Sequence, residues 1–328
     1  MGWKWVIKQL FRMAVLLAAV SGAVFWLLCI SPIDPLTANV GQAALGSMSP
    51  EQVERLREYW GAGQPFLERF LGWAGDFIRG DMGVSLLYRR PVSQVIAERF
   101  LNSFCLMAAA WALSGILGLG LGILAGRRRG SAADRIVTGY CLVTASTPAF
   151  WIAMVLLMVF AVKLRLFPIA LSVPIGVETE AVTLGDRVNH MVLPAAALSL
   201  TGISNIALHT RAKLCQVMES EYVLFARARG ESEGAILFRH GLRGILLPAI
   251  TLQFASISEI FGGSVLVEQV FSYPGLGQAA VTAGLGGDAP LLMGITVITA
   301  AVVFGGNTAA NILYGWVDPR MKEGGKKR

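Results

Sequence analysis

The sequence contains few charged residues. Only 15% of its 328 residues are Asp, Glu, Lys or Arg, whereas 55% are hydrophobic. An average soluble domain carries about 25% charged residues. This composition excludes a disordered chain and argues against a water-soluble globule, so most of the chain is expected to lie in an apolar environment.

The sequence also lacks the motifs of metal, redox and nucleotide sites. No C-x-x-C pair, no metal-ligand spacing of histidines and no G-x-x-x-x-G-K-[S/T] loop occurs, and no nucleophile-plus-base pattern is visible. No disulfide framework, metal site, cofactor or catalytic residue is therefore predicted, and the chain is not expected to hydrolyse ATP itself. The cysteines and histidines that lack such spacing are Cys29, Cys105, Cys141, Cys215, His190, His209 and His240.

Six long apolar segments dominate what is present. A bilayer core of about 30 Å is crossed by about 20 helical residues, and backbone groups in lipid must be paired within the segment. The segments are solid rather than alternating, which excludes a β-barrel of the porin type. The sequence predicts an all-α integral membrane protein, one domain over residues 1–328, with six transmembrane helices at 13–30, 100–126, 136–162, 188–210, 244–271 and 289–317.

The distribution of Lys and Arg predicts the orientation. The first segment follows Lys4, Lys8 and Arg12, as a signal peptide would, but no small-x-small cleavage site follows it directly, so we interpret it as an uncleaved span. With both termini inside, the inner segments carry 18 Lys and Arg, against 3 outside once the long first loop is left out. Both termini are therefore predicted to be cytoplasmic. The net charge of +7 indicates a membrane surface rather than nucleic acid as the partner.

Two loops are longer than simple connectors. The outer loop 31–99 contains Ser49-Pro50-Glu51-Gln52, which predicts a helix start with a Ser cap and Gln at the third position. This helix either packs on the protein or docks a partner. The inner loop 211–243 has both charge signs and helical periodicity, so it is either a solvated basic loop or a contact surface for another protein.

Small residues and acids inside the predicted spans stand out. Gly118, Gly122 and Gly126 repeat every fourth residue, a pattern that lets helices approach closely, either within the chain or between two chains. Glu259 and Glu268 are the acids in the predicted spans. Intramembrane carboxylates are costly and usually face a cavity or a partner group.

Several short segments, taken in order, form a pattern that extends over almost the whole chain. They are 49–57, 80–85, 90–92, 96–99, 222–230, 239–243, 267–277 and Asp318-Pro319-Arg320. In this order they resemble the inner-membrane permease subunits of the dipeptide/oligopeptide/nickel family of ABC importers, and the combination is far more specific than any one segment.

The resemblance implies the type I importer permease fold and a role for the inner loop. In this family the loop forms a coupling helix that rests in a groove of a separate ATPase subunit. Small alanines would allow close approach, and arginines would pair with carboxylates of the ATPase. Two departures are present: Leu224-Phe225-Ala226 stands where the general motif has Glu-Ala-Ala, and Arg229 replaces Lys. The implied coupling residues are Glu221, Ala226, Arg227, Ala228, Arg229 and Gly230.

The resemblance also implies partners and substrates. The expected partners are a second, homologous permease, two ABC ATPase subunits, an extracytoplasmic solute-binding protein and the lipid bilayer. The expected substrates are nickel, a metal chelate or a di- or oligopeptide. Glu259, which precedes Gly262-Gly263, either attracts a cationic substrate or a metal chelate in the pathway or pairs with a neighbouring helix, and it resembles the nickel branch more than the peptide branch. Glu268, Pro274 and Gly275 are expected to be structural. The rival interpretations are a secondary transporter driven by an ion gradient and a membrane scaffold.

Overall fold

The computed structural model describes residues 3–31, 45–59, 66–174, 176 and 181–317. Helices form most of these residues, and the extended pairing within them is one isolated bridge between Val84 and Pro91. The helices are α1 (Trp3–Ile30), α2 (Pro50–Tyr59), α3 (Phe66–Ile78), α4 (Val92–Arg127), α5 (Ala132–Ala145), α6 (Ala149–Leu156), α7 (Leu184–Met218), α8 (Glu221–Ala228), α9 (Glu233–Ile236), α10 (Leu242–Ala255), α11 (Ile257–Val270), α12 (Leu276–Gly286) and α13 (Ala289–Val317). Two π-helical turns, Leu157–Lys163 and Leu237–Gly241, continue α6 and α9.

The helices include the membrane-crossing segments that the composition predicts. Five helical stretches are long and apolar enough to cross a bilayer, and α5 with α6 and its π-turn forms a sixth when the bent pair is counted as one span. The predicted all-α membrane fold is thus confirmed. The five stretches are Trp5–Ile30, Val92–Arg127, Leu184–Met218, Glu233–Ala255 and Ala289–Ala310.

The third predicted span is not straight. The chain bends by 107° between α5 and α6. Ser146 Oγ donates to the carbonyl of Leu142 at 2.8 Å and Thr147 Oγ1 donates to that of Val143 at 2.7 Å. Pro148 follows, which has no N–H to continue the helix and disfavours helical backbone at the residue before it. The Ser-Thr-Pro sequence therefore ends α5 and sets the start of α6 in a new direction.

Helix α7 is longer than the apolar segment 188–210 at both ends. It begins after Thr183, whose hydroxyl accepts from the Asp186 N–H while the Asp186 carboxylate accepts from the Thr183 N–H. At the other end it continues to Met218, because Arg211 forms a two-pronged ion pair with the buried Asp134 at the start of α5. Charge at this helix end is neutralised internally, which is why the apolar run understates the helix.

The fifth predicted span, 244–271, is divided. Helix α10 ends at Ala255 and α11 begins at Ile257. Ser256 is buried between them, and its hydroxyl donates to the carbonyl of Gln253 at 2.8 Å. The stretch long enough to cross a bilayer runs from Glu233 to Ala255, so it begins and ends earlier than predicted and does not include α11.

The chain forms two compact units. The first comprises residues 1–102 and 274–304. In it, α4, α12 and α13 share a buried cluster that includes Val92, Leu276 and Leu291. In the same unit, the α2 capping box that the sequence predicts is present, because the Gln52 amide oxygen accepts from the Ser49 N–H while the Ser49 hydroxyl accepts from the Gln52 N–H.

The second unit comprises residues 103–273 and 305–328. One buried cluster joins α4, α6, α7 and α11 through residues such as Leu106, Ala153, Leu198 and Val267. Another lies under α8 and is described with it below. The motif Asp318-Pro319-Arg320 and the tail from 318 onward lie outside the described residues.

Candidate functional site: the α8 surface and the carboxylates of α11

Helix α8 is a short, sharply delimited element. Ser220 precedes it in extended conformation, and Glu221 in its first turn interacts favourably with the positive end of the helix dipole. The helix ends at Ala228, and Gly230 follows with φ +82°, where the Glu231 N–H reaches the Ala226 carbonyl at 3.2 Å. A left-handed residue after the last turn is the usual reason for glycine at this position.

One face of α8 packs on its own chain. Val223 is fully buried and Ala226 is 4% exposed. Both lie in a cluster with Leu214 of α7, Ile236 of α9 and Ile245 of α10. Ala226 therefore anchors α8 to the second unit. The sequence interpretation placed this alanine on the surface open to a partner, but the structure buries it.

The other faces of α8 present large apolar side chains to the outside. Tyr222, Leu224 and Phe225 are each more than half exposed, with Phe225 at 66%. Contiguous exposed apolar side chains of this kind mark interaction surfaces. We call Tyr222, Leu224, Phe225, Ala228 and Arg229, all exposed, the α8 surface. Sequence reasoning missed its three large residues, although aromatic residues in a supposedly solvated loop were a visible signal.

The two arginines of α8 have different surroundings. Arg227 donates from Nε and Nη2 to the two carboxylate oxygens of Glu233 in α9, at 2.8 and 3.3 Å. This hydrogen bonding raises the pKa of the Arg227 guanidinium above its ordinary value. Arg229 and Glu221 are exposed and, within the described ranges, form no ion pair. Arg227 therefore braces α8 against α9, whereas Arg229 has its donors available for another molecule.

A second motif from the sequence lies beside α8. The segment 239–243 places Arg239 Nη1 at 3.5 Å and His240 Nε2 at 3.8 Å from the Glu231 carboxylate. The His240 ring also lies 5.9 Å from that of Tyr222. The two motifs thus form one structural region, held by contacts between α8 and the turns that follow it.

The spaced glycines of α4 form a seam with α7. A Cβ on Gly118, Gly122 or Gly126 would lie 2.8, 2.5 or 3.0 Å from the Cβ of Ile206, Thr210 or Leu214 respectively. These distances leave no room for a side chain. The structure therefore places these three glycines against α7 of the same chain, and we call this contact the α4–α7 seam.

The carboxylate at the far end of α11 is internal. Glu268 is fully buried and accepts a hydrogen bond from Ser103 Oγ of α4 at 2.6 Å. A buried carboxylate needs such partners, because an isolated buried charge is prohibitively costly. In the first unit, the Pro274 carbonyl accepts a hydrogen bond from Asn102 Nδ2 at 2.9 Å, and Gly275 immediately precedes α12.

The carboxylate at the near end of α11 is exposed. Glu259 forms no ion pair or hydrogen bond to any residue that the structure describes. Gly262, one turn on and on the same face, has nothing within 4 Å of the position of a Cβ. Gly263 faces inward, with Leu198 Cδ2 3.5 Å from that position. The structure thus places Glu259 and Gly262 together on an open face and Gly263 against α7.

Comparison with known proteins matches the part of the chain that holds these features. The sequence profile of the binding-protein-dependent transport system inner membrane component matches residues 118–323, which include the α4–α7 seam, the α8 surface and α11. The match covers more than half of the chain.

Individual relatives match along nearly the full length. The chain is 33% identical to the oligopeptide transport system permease protein AppB of Bacillus subtilis over 321 residues, 97% of this chain and 99% of that protein. It is 33% identical to a putative peptide transport system permease protein of Brucella abortus over 322 residues, 97% and 98% of the two chains. It is 30% identical to a probable peptide ABC transporter permease of Sinorhizobium fredii over 318 residues, 97% and 99%.

The family and the helices together define the class of protein. Several apolar helices cross the membrane, and the family supplies the membrane subunits of importers that work with ATPase and binding-protein partners. The chain belongs to the binding-protein-dependent transport system inner membrane component family and is a multi-pass inner-membrane permease subunit of an ABC importer.

Proposed function

We propose that this permease imports di- or oligopeptides. The observation that carries the proposal is the similarity, over 97% of the chain, to a permease named for oligopeptide transport. The other two relatives described above are also named for peptides. None of the three relatives described above is named for nickel or a metal chelate, and no contact among the described residues favours a transporter driven by an ion gradient.

The pathway is proposed to form between this chain and a second, homologous permease. The exposed face of α11 with Glu259 and Gly262 supports this assignment, because a carboxylate facing lipid would be costly. Gly263 belongs to the support of this face through its contact with α7. A binding protein is proposed to deliver the peptide to the long outer loop 31–99.

The α8 surface is proposed to dock on one of two ABC ATPase subunits, with α8 and both chain termini in the cytoplasm. Three exposed apolar side chains, an arginine that forms no ion pair with any described residue and a sharply ended helix support this proposal. Closure of the ATPases on ATP would then move α8. Because Val223 and Ala226 fix α8 to α7, α9 and α10, the movement would be passed to the membrane helices.

Uptake by membrane vesicles tests the substrate and the energy source. A labelled tripeptide should enter right-side-out vesicles that contain the complete complex and its binding protein, and uptake should require internal ATP. Uptake should persist with an ionophore and with excess nickel. Peptide uptake that is unchanged when the gene is deleted would contradict the proposal, and so would uptake that the ionophore abolishes while ATP is maintained.

A further inference from the structure

A polar pair joins α11 and α13 inside apolar sequence. Ser258 Oγ donates to the amide oxygen of Asn307 at 2.6 Å. The two helices come close at this point because the neighbouring residue in α13 is Gly306, where an added Cβ would lie 3.2 Å from Ile257 Cγ2. The pair is exposed on the chain rather than enclosed in its core.

The polar pair lies next to the open carboxylate described above. Glu259 follows Ser258 directly and is exposed, as is Asn307. A serine, a glutamate and an asparagine thus form one polar patch, with the open Gly262 one turn further along α11. We call Ser258, Glu259 and Asn307 the polar patch.

The position of the polar patch argues against lipid contact. Asn307 lies in the candidate membrane span Ala289–Ala310, and Glu259 lies between apolar residues of α11. Charged and amide side chains at membrane depth face a protein interior or water, because lipid cannot satisfy them. The exposed face therefore needs either an aqueous space or a second protein, and the proposed pathway between two permeases provides the aqueous space.

The chemistry of the polar patch indicates what it attracts. It holds one carboxylate, and within the described residues no cation pairs with that group. The serine hydroxyl and the asparagine amide add neutral hydrogen-bonding groups beside it, and Gly262 leaves space in front of the helix. A carboxylate among neutral polar groups in a confined aqueous space favours a cation that can also donate hydrogen bonds, such as a primary ammonium group.

We propose that Ser258, Glu259 and Asn307 line the translocation pathway and attract the ammonium groups of peptides, either at the N-terminus or on a lysine side chain. The proposal rests on the peptide-import function proposed above. In it Glu259 sets a preference for positively charged peptides, and the Ser258–Asn307 pair holds α11 and α13 together at the patch.

Thiol labelling tests the polar patch without any peptide. In a chain whose four native cysteines are replaced by serine, Asn307→Cys is introduced and the whole complex is purified. The modification rates with a cationic and an anionic methanethiosulfonate of similar size are then measured, with and without ATP. The quantity compared is the ratio of the cationic to the anionic modification rate. We expect this ratio to be about fivefold higher at Asn307→Cys than for free cysteine, and we expect Glu259→Gln to abolish the difference.

Ala309→Cys is the matched control. Ala309 is also exposed, but it lies two positions on and thus about 200° around the helix from Asn307. We expect slow labelling there and no effect of Glu259→Gln. If Asn307→Cys reacts with neither reagent, with or without ATP, the patch lies in a closed protein interface and the proposal is overturned. A charge preference that survives Glu259→Gln would overturn it as well.

The relative uptake of two peptides tests the same inference on transport. The ratio of uptake of a lysine-containing tripeptide to that of a neutral tripeptide is compared between the unmodified complex and Glu259→Gln. Because the binding protein is the same in both, a change in this ratio reports on the permease. We expect the ratio to fall about fivefold, and Glu259→Asp to restore most of it. An unchanged ratio would remove Glu259 from peptide selection. If the unmodified complex takes up no peptide, the proposed function fails, and the labelling experiment still decides on the polar patch.

Discussion

The α4–α7 seam and the α8 surface are opposites in how side-chain size is used. At the seam, small residues face inward, and the chain itself fills the space in front of Gly118, Gly122 and Gly126. At the α8 surface, large residues face outward, and Phe225 is 66% exposed although Ala226 beside it is 4% exposed. The small residues mark a contact that one chain completes, and the large residues mark a contact that it leaves incomplete.

The difference shows where stability and function reside. Overpacking a tight interface usually costs about 1–3 kcal/mol and sometimes more, so the seam is expected to tolerate little change. Burying a large apolar side chain on a partner contributes about 1.5–3 kcal/mol, so Tyr222, Leu224 and Phe225 can supply much of an ATPase contact. Substitutions at the seam should therefore affect folding, and those at the α8 surface should affect transport.

The largest effect is expected at the seam. Gly122→Leu forces a side chain against Thr210 and the Ala207 carbonyl, so most of the protein should fail to reach the folded state. The measurement is the yield and melting temperature of the detergent-solubilised complex. Gly120→Leu is the control, because nothing lies within 4 Å of a Cβ there. Equal stability of the two variants would show that the seam can open, and would break the comparison.

The next effect is expected on transport alone. Phe225→Glu places a charge in the proposed ATPase contact and should lower peptide uptake at least tenfold, while melting temperature and insertion stay normal. Phe225→Leu keeps an apolar side chain and should retain most uptake. The readouts are vesicle uptake and the amount of ATPase subunit that co-purifies. Normal uptake by Phe225→Glu would show that the α8 surface is not the contact.

The two arginines sharpen the comparison further. Arg227→Glu and Arg229→Glu should each lower uptake severalfold, with the chain still inserted, but for different reasons. The defect of Arg227→Glu comes from repulsion by Glu233, so the exchange Arg227→Glu with Glu233→Arg should restore uptake. Arg229 has no partner among the described residues, so Glu233→Arg should not rescue Arg229→Glu. Rescue of both variants would mean that the arginines act only within the chain, and normal uptake by both would remove them from coupling.

The smallest effect is expected at the end of α8. Gly230→Ala puts a Cβ at φ +82° and should destabilise the helix end by about 1 kcal/mol. Faster hydrogen exchange of the α8 amides, with a small loss of uptake, is the expected result. Gly234→Ala is the control, since Gly234 lies inside α9 with open space around it, and it should be neutral or slightly stabilising. Equal exchange in the two variants would show that the left-handed turn does not limit α8.

The sequence predicted the parts of this fold that depend on composition. Long apolar runs indicated the membrane segments, and Ser49 with Gln52 indicated the start of α2. A long-range contact moved one helix boundary beyond the apolar run. Helix α7 continues to Met218 because Asp134, 77 residues earlier, neutralises Arg211.

The side-chain partners within the candidate site could not be predicted from the sequence. Helical spacing does not reveal which face of α8 packs inward, so Ala226 was expected at the partner contact and lies in the chain's own core. From the sequence, Glu268 was expected to be structural and Glu259 to lie in the substrate pathway, but no partner could be named for either. The structure shows that Glu268 is buried and accepts a hydrogen bond from Ser103. The orientation of the termini stays a prediction from the Lys and Arg distribution.

The seam has a consequence for how the protein is made. Gly122 on α4 and Thr210 on α7 are separated by roughly 90 residues. A ribosome adds about 5–20 residues per second. Helix α4 therefore waits for roughly 5–20 seconds in the membrane, with its glycine groove exposed, before α7 arrives. During this interval any other helix with a small-residue face can compete for the groove. The pace of translation between α4 and α7 thus becomes a determinant of correct assembly.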